Sequence, residues 1–76
     1  MELKDFIENF AVQFDDTDAS EIKAETKFKE LDEWSSLIAL SVIAMVDEEY
    51  EVTIKGEDIR TSNTVEDLFN NVKSKM

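Results

Sequence analysis

Three segments of this chain place apolar residues at alternating spacings of three and four, and that period constrains the fold more than any other feature. A helix turns about 100° per residue, so such spacing gathers the apolar side chains on one face. Leu3, Phe6, Ile7, Phe10 and Phe14 form the first stripe, and Val65, Leu68, Phe69, Val72 and Met76 form the last. Over roughly Ser36 to Glu51, a third stripe runs through Ala39, Val42, Ile43, Val46 and Tyr50. Thr64 is placed to cap the last helix, with Asp67 three residues on completing a capping box. Lys73 and Lys75 fall in its final turn, where the helix dipole favours cations. A short helical turn is predicted at Glu57 to Arg60, with Gly56 relieving the backbone at its entry. The stretch from Asp15 to Ser35 is long for a connection in a compact domain and must be functional or pinned. Ile22, Phe28, Leu31 and Trp34 are the candidate pins. The expected fold is all-α: a small four-helix bundle of three main helices plus a short third helix, with a long first loop, forming one domain over 1–76.

Composition removes most chemistry from consideration. A chain of 76 residues buries only about 60% of its unfolded surface, which leaves one modest core. There is no cysteine and no histidine, so thiolate sites, the usual general base and the commonest zinc ligand are all missing. The single glycine excludes Gly-rich phosphate loops. Asp16, Asp18 and Ser20 suggest a calcium loop, but the required glycine is absent and Lys27 stands where a closing Glu belongs. The chain is therefore expected not to be an enzyme and to hold no structural metal. Its formal net charge is −11, which repels nucleic acid and favours basic protein surfaces as partners. The longest apolar run, Leu37 to Val46, is interrupted by Ser41 and falls far below the ~20 residues of a membrane span. The Met-Glu-Leu-Lys-Asp start has neither a basic lead nor an apolar core. A soluble, cytoplasmic monomer is expected.

The middle helix has a second side. Leu37, Leu40 and Ala44 point away from its core stripe, among Ser41, Asp47, Glu48 and Glu51. One exposed leucine needs no explanation. Two on a face edged by carboxylates suggest a docking surface.

The segment Glu30-Leu31-Asp32-Glu33-Trp34-Ser35-Ser36-Leu37 opens that helix after the long loop. On local grounds alone, Ser35 or Ser36 reads as an N-cap, a role worth ~1 kcal/mol. Over its full length, however, the chain resembles the acyl carrier protein family. Ser36-Leu37 fits the family's modified serine and following leucine at the start of its second helix. The acidic run Asp47-Glu48-Glu49-Tyr50-Glu51 fits the end of that helix, and Ile54-Lys55-Gly56-Glu57-Asp58-Ile59 fits the short third helix. The family usually has Asp before the modified serine, and Ser35 stands there in this chain. The resemblance implies a covalent 4′-phosphopantetheine arm on Ser36, carrying acyl groups as thioesters. It further implies fatty acid or related lipid biosynthesis, with a phosphopantetheinyl transferase and acyl-processing enzymes as partners. Their basic surfaces would meet Leu37, Leu40, Ala44, Asp47, Glu48 and Glu51. A specialised polyketide or peptide pathway is the alternative within the family. Outside it, the same residues would serve an acidic helical interaction module that carries nothing.

Overall fold

The computed structural model describes residues 2–76, and each apolar stripe becomes a helix. α1 spans Leu3–Ala11, α2 spans Ser36–Tyr50, α3 spans Gly56–Arg60 and α4 spans Val65–Ser74. No strand occurs among the described residues. α1 packs against both α2 and α4, and α3 packs against α4. The bundle expected from periodicity is present, with its short third helix and long first connection.

The core is a line of rings continued by aliphatic side chains. Phe6 and Phe10 are fully buried on α1. Phe6 meets Phe69 of α4 edge-on at 5.7 Å between centroids, and it lies 5.9 Å from Tyr50 at the far end of α2. Val42 and Val46 of α2 with Val65, Leu68 and Val72 of α4 fill the remaining space. Such buried side chains each contribute about 1.5–3 kcal/mol by leaving water.

The long connection is anchored at every position where the sequence placed a pin. Phe28 is fully buried, Ile22 nearly so, and Leu31 and Trp34 are half-buried against the core. Two single turns of 3₁₀ helix, Ala19–Glu21 and Phe28–Glu30, shorten its span. The connection also completes α4: the carbonyls of Thr26 and Ala24 accept from the N–H groups of Val65 and Glu66. These are donors that a helix start otherwise leaves to solvent.

The helix ends follow local chemistry. Thr64 Oγ1 accepts from the Asp67 N–H, while Asp67 accepts in return from the Thr64 N–H, as the capping box requires. Asp58 accepts from the N–H of Lys55 at the start of α3 and pairs with Lys75 at 3.7 Å, tying α3 to the end of α4.

Four sequence expectations need correction. Phe14 is buried, but in the turn beyond α1, which has already ended. Met76 lies past the end of α4 and is exposed, because that helix stops at Ser74. Met45, outside the expected stripe of α2, is buried, and Ile38, also outside it, packs against the core. The face turned inward is thus broader than the stripe. Gly56 has no positive φ and no neighbour within 4 Å of an added Cβ, so its backbone does not require glycine.

Candidate functional site

The segment leading into Ser36 is held by two anchors, Trp34 and Glu33. Trp34 packs edge-on against Phe28 at 4.9 Å and stacks parallel to Phe10 at 6.5 Å. Phe14 completes this ring cluster. The residue two places before Ser36 is therefore locked to the core of α1. Aromatic pairs of this kind contribute about 0.5–1.5 kcal/mol beyond the area they bury.

Glu33 ties the same segment to the start of the long connection. Its carboxylate accepts from the N–H of Asp15 at 2.6 Å, the N–H of Asp16 at 2.9 Å and the hydroxyl of Thr17 at 2.8 Å. Partial desolvation opposes the charge, but the Thr17 hydroxyl and the backbone N–H groups of 15–17 together outweigh it. The pKa of Glu33 lies below the ordinary glutamate range as a result. Asp18, nearby, is also lowered, by the Ser20 N–H and then the Ser20 hydroxyl. Sequence periodicity gave no sign of the Glu33 latch, because its partners lie 16 to 18 residues away.

The two serines have separate tasks. Ser35 is extended at the N-cap, and its hydroxyl oxygen accepts from the Ile38 N–H at 3.4 Å. Ser36 is the first residue of α2, is exposed, and has no hydrogen bond to its hydroxyl among the described residues. With the cap supplied by its neighbour, the Ser36 hydroxyl has no structural role. It stands at the end of a helix where the dipole and open N–H groups favour an added anion.

Ser36 also borders a groove of about 430 Å³ between the start of α2 and α3. Trp34, Ala39 and Ile59 supply its apolar walls, Ser35 and Gly56 its small ones, and Lys29 and Arg60 its cations. Lys29 Nζ donates to the Arg60 carbonyl at 2.7 Å, bridging the 3₁₀ turn at Phe28 to the end of α3. A second hollow, lined by Asp16, Thr17, Glu21, Leu31, Asp32 and Glu33, is acidic. Among the described residues, no three carboxylates converge in a way that would hold a metal ion.

The remaining candidate residues lie together on one side of α2. Leu37 and Leu40 are 75% and 62% exposed, so neither contributes much to the core. Ala44, Asp47 and Glu48 are exposed beside them. Glu51 is exposed as well, but it lies just beyond the helix in the left-handed conformation, with φ at 56°. Carboxylates at a helix C-terminus oppose the dipole, and a non-glycine residue in the left-handed region costs about 1–2 kcal/mol. Stability does not account for either feature. Lys29, Arg60 and Glu33 are the residues at this site that sequence reasoning missed. Tertiary folding places Lys29 and Arg60 on one groove with Ser36, and Glu33, though only three residues before Ser36, finds its partners in the distant 15–17 segment. Neither a family model, nor a curated protein, nor a solved structure matches the chain.

Proposed function

We propose that this protein is an acyl carrier whose phosphopantetheine arm is attached at Ser36. The observation that carries the reading is the division between the two serines. Ser35 caps α2, and the adjoining Ser36 hydroxyl is exposed and uncommitted at the head of the helix. A transferase needs such a hydroxyl. Its oxygen attacks the phosphorus on the pantetheine side of coenzyme A, the adenosine bisphosphate half departs, and the hydroxyl proton passes to the transferase. The groove beside Ser36 has room and apolar walls for the first part of an arm. The arm, when attached, supplies a terminal thiol for thioester formation, so the chain needs no nucleophile or base of its own.

The partners this reading calls for are the transferase and acyl-processing enzymes with basic surfaces, in fatty acid or related lipid biosynthesis. Leu37, Leu40 and Ala44 would form the apolar centre of the contact, with Asp47, Glu48 and Glu51 at its edge. Charges at the edge steer the encounter, and the apolar centre slows release. No described helix is long and apolar enough to cross a membrane, which agrees with partners met in water or at a protein surface.

The test is direct. Incubated with coenzyme A and a broad-specificity phosphopantetheinyl transferase, the protein should gain one phosphopantetheine, mapped to the peptide containing Ser36. Ser36→Ala should abolish the gain. Labelling that persists on Ser35 would overturn the site. Protein from its native host with Ser36 unmodified would favour the second reading, a carrier-free interaction module, which rests on the same exposed leucines.

A further inference from the structure

The groove at Ser36 runs against the electrostatics of the rest of the chain. Nineteen acidic residues stand against eight basic ones, yet no carboxylate lines this groove and two of the eight cations do. The Lys29 ammonium is fixed by its donation to the Arg60 carbonyl and retains further N–H donors. The Arg60 side chain makes no hydrogen bond or ion pair among the described residues, where the one ion pair is Lys75 with Asp58. Ser36 lines the same groove, and at this start of α2 the N–H groups of Ser36 and Leu37 have no acceptor among the described residues. The groove therefore gathers donors from Lys29, Arg60 and the head of α2 with no anion among them.

Gly56 is the second, independent observation. It borders the groove as the first residue of α3, its φ is not positive, and an added Cβ would stand in open space. Neither its own backbone nor close packing calls for glycine, and a helix favours almost any other residue there. With no side chain, Gly56 adds nothing that could narrow the groove it shares with Ser36.

We propose that Lys29 and Arg60 clamp the phosphodiester carried on Ser36 Oγ, so that the first part of the arm lies along Trp34, Ala39 and Ile59 instead of swinging free. The clamp rests on the carrier reading of Ser36. An arginine suits this task because its planar fork meets two phosphate oxygens at once. Lys29, already anchored, adds a point charge with little further loss of freedom. The arm held in this way starts from a defined direction, toward α3 and away from the Leu37–Leu40 face, so a partner seated on that face would not collide with it.

Chemical synthesis of the 76-residue chain, with and without the phosphopantetheine ester on Ser36, tests the clamp with no transferase involved. Failure of the clamp is thereby separate from failure of the carrier reading, which the labelling experiment decides. At low salt the modified chain should melt roughly 4–8 °C above the unmodified one, and the difference should shrink at high salt. Arg60→Gln should leave the unmodified melt within about 4 °C, because the side chain is exposed and unpartnered. In the modified chain it should remove at least half the increment, and Arg60→Lys should restore part of it. The ³¹P resonance of the ester should shift between wild type and Arg60→Gln. An increment as large as the wild type's in both Arg60→Gln and a Lys29→Gln/Arg60→Gln double variant, with an unmoved ³¹P resonance, would mean that the helix terminus alone holds the phosphate. That result, or no increment in the wild type, overturns the clamp.

Discussion

Replacing Leu40 and Val46 by alanine separates the two faces of α2. Val46 is completely buried. Truncation to Ala removes about two carbons' worth of apolar burial at ~0.8 kcal/mol each, and the cavity left behind adds to the loss. About 2–3 kcal/mol is expected in total. A domain of this size has roughly 4–11 kcal/mol of stability and shifts its melting temperature by about 4–8 °C per kcal/mol. Val46→Ala should therefore melt about 10–20 °C below the wild type. Leu40 is 62% exposed, so only about a third of its three lost carbons' worth is out of water. That amounts to about 0.9 kcal/mol at most, and the better helix propensity of Ala offsets about 0.2 kcal/mol of it. Leu40→Ala should melt no more than about 5 °C lower. Its effect should fall on association with a partner, measured as the labelling rate by the transferase and by surface-binding kinetics, with faster release. Glu48→Lys should slow association instead, and that loss should shrink as salt rises. Equal melting losses for Leu40→Ala and Val46→Ala, with partner kinetics unchanged for Leu40→Ala, would refute the assignment of the faces.

Two further outcomes follow from local geometry. The pKa of Glu33 is lowered on folding, so the stability from its latch is fully present above the unfolded value of about 4.3 and is lost as pH falls through the folded value. Glu33→Gln should flatten the acid limb of a stability–pH profile and raise amide exchange at 15–17, and an unchanged profile would refute the latch. Glu51→Gly should raise the melting temperature by about 4–8 °C, because glycine relieves roughly 1 kcal/mol at a φ of 56°. A melt at or below the wild-type value would show that the left-handed residue carries no cost.

What the sequence made legible was local. Spacings of three and four located α1, α2 and α4, and Thr64 with Asp67 marked the start of α4 to the residue. Ile22, Phe28 and Trp34 stood out as pins because large apolar residues in a long loop have few other uses. The width of the buried face of α2 was not legible. Met45 turns inward because α2 has neighbours along more of its circumference than one stripe covers, and period alone does not count neighbours. Ser36 stood out as a candidate only by resemblance, and the assignment of the cap to Ser35 depended on backbone angles at one peptide. The latch from Glu33 to 15–17 and the bridge from Lys29 to Arg60 join residues 16 to 31 positions apart. No local pattern encodes such pairs, because charged side chains on loops are ordinary until folding brings them together.

α4 and α2 show how differently two helices of one small domain are composed. α4 follows the local rules throughout: a reciprocal capping box, Glu66 and Asp67 in its first turn, Lys73 in its last, and its large apolar residues buried. Each of these features lowers the free energy of a helix by a few tenths of a kcal/mol to about 1 kcal/mol. α2 departs from them repeatedly. Its first turn has no acid, Asp47 and Glu48 lie where the dipole disfavours them, Glu51 ends it in a left-handed conformation, and Leu37 and Leu40 face water. A chain composed for stability alone would place acids at the head of α2, a glycine at 51 and polar residues at 37 and 40. Local rules broken on one element and kept on its neighbour are expected where an element serves binding as well as packing. Here the departures from Leu37 to Glu51 form one exposed side, and it begins at the residue that follows Ser36.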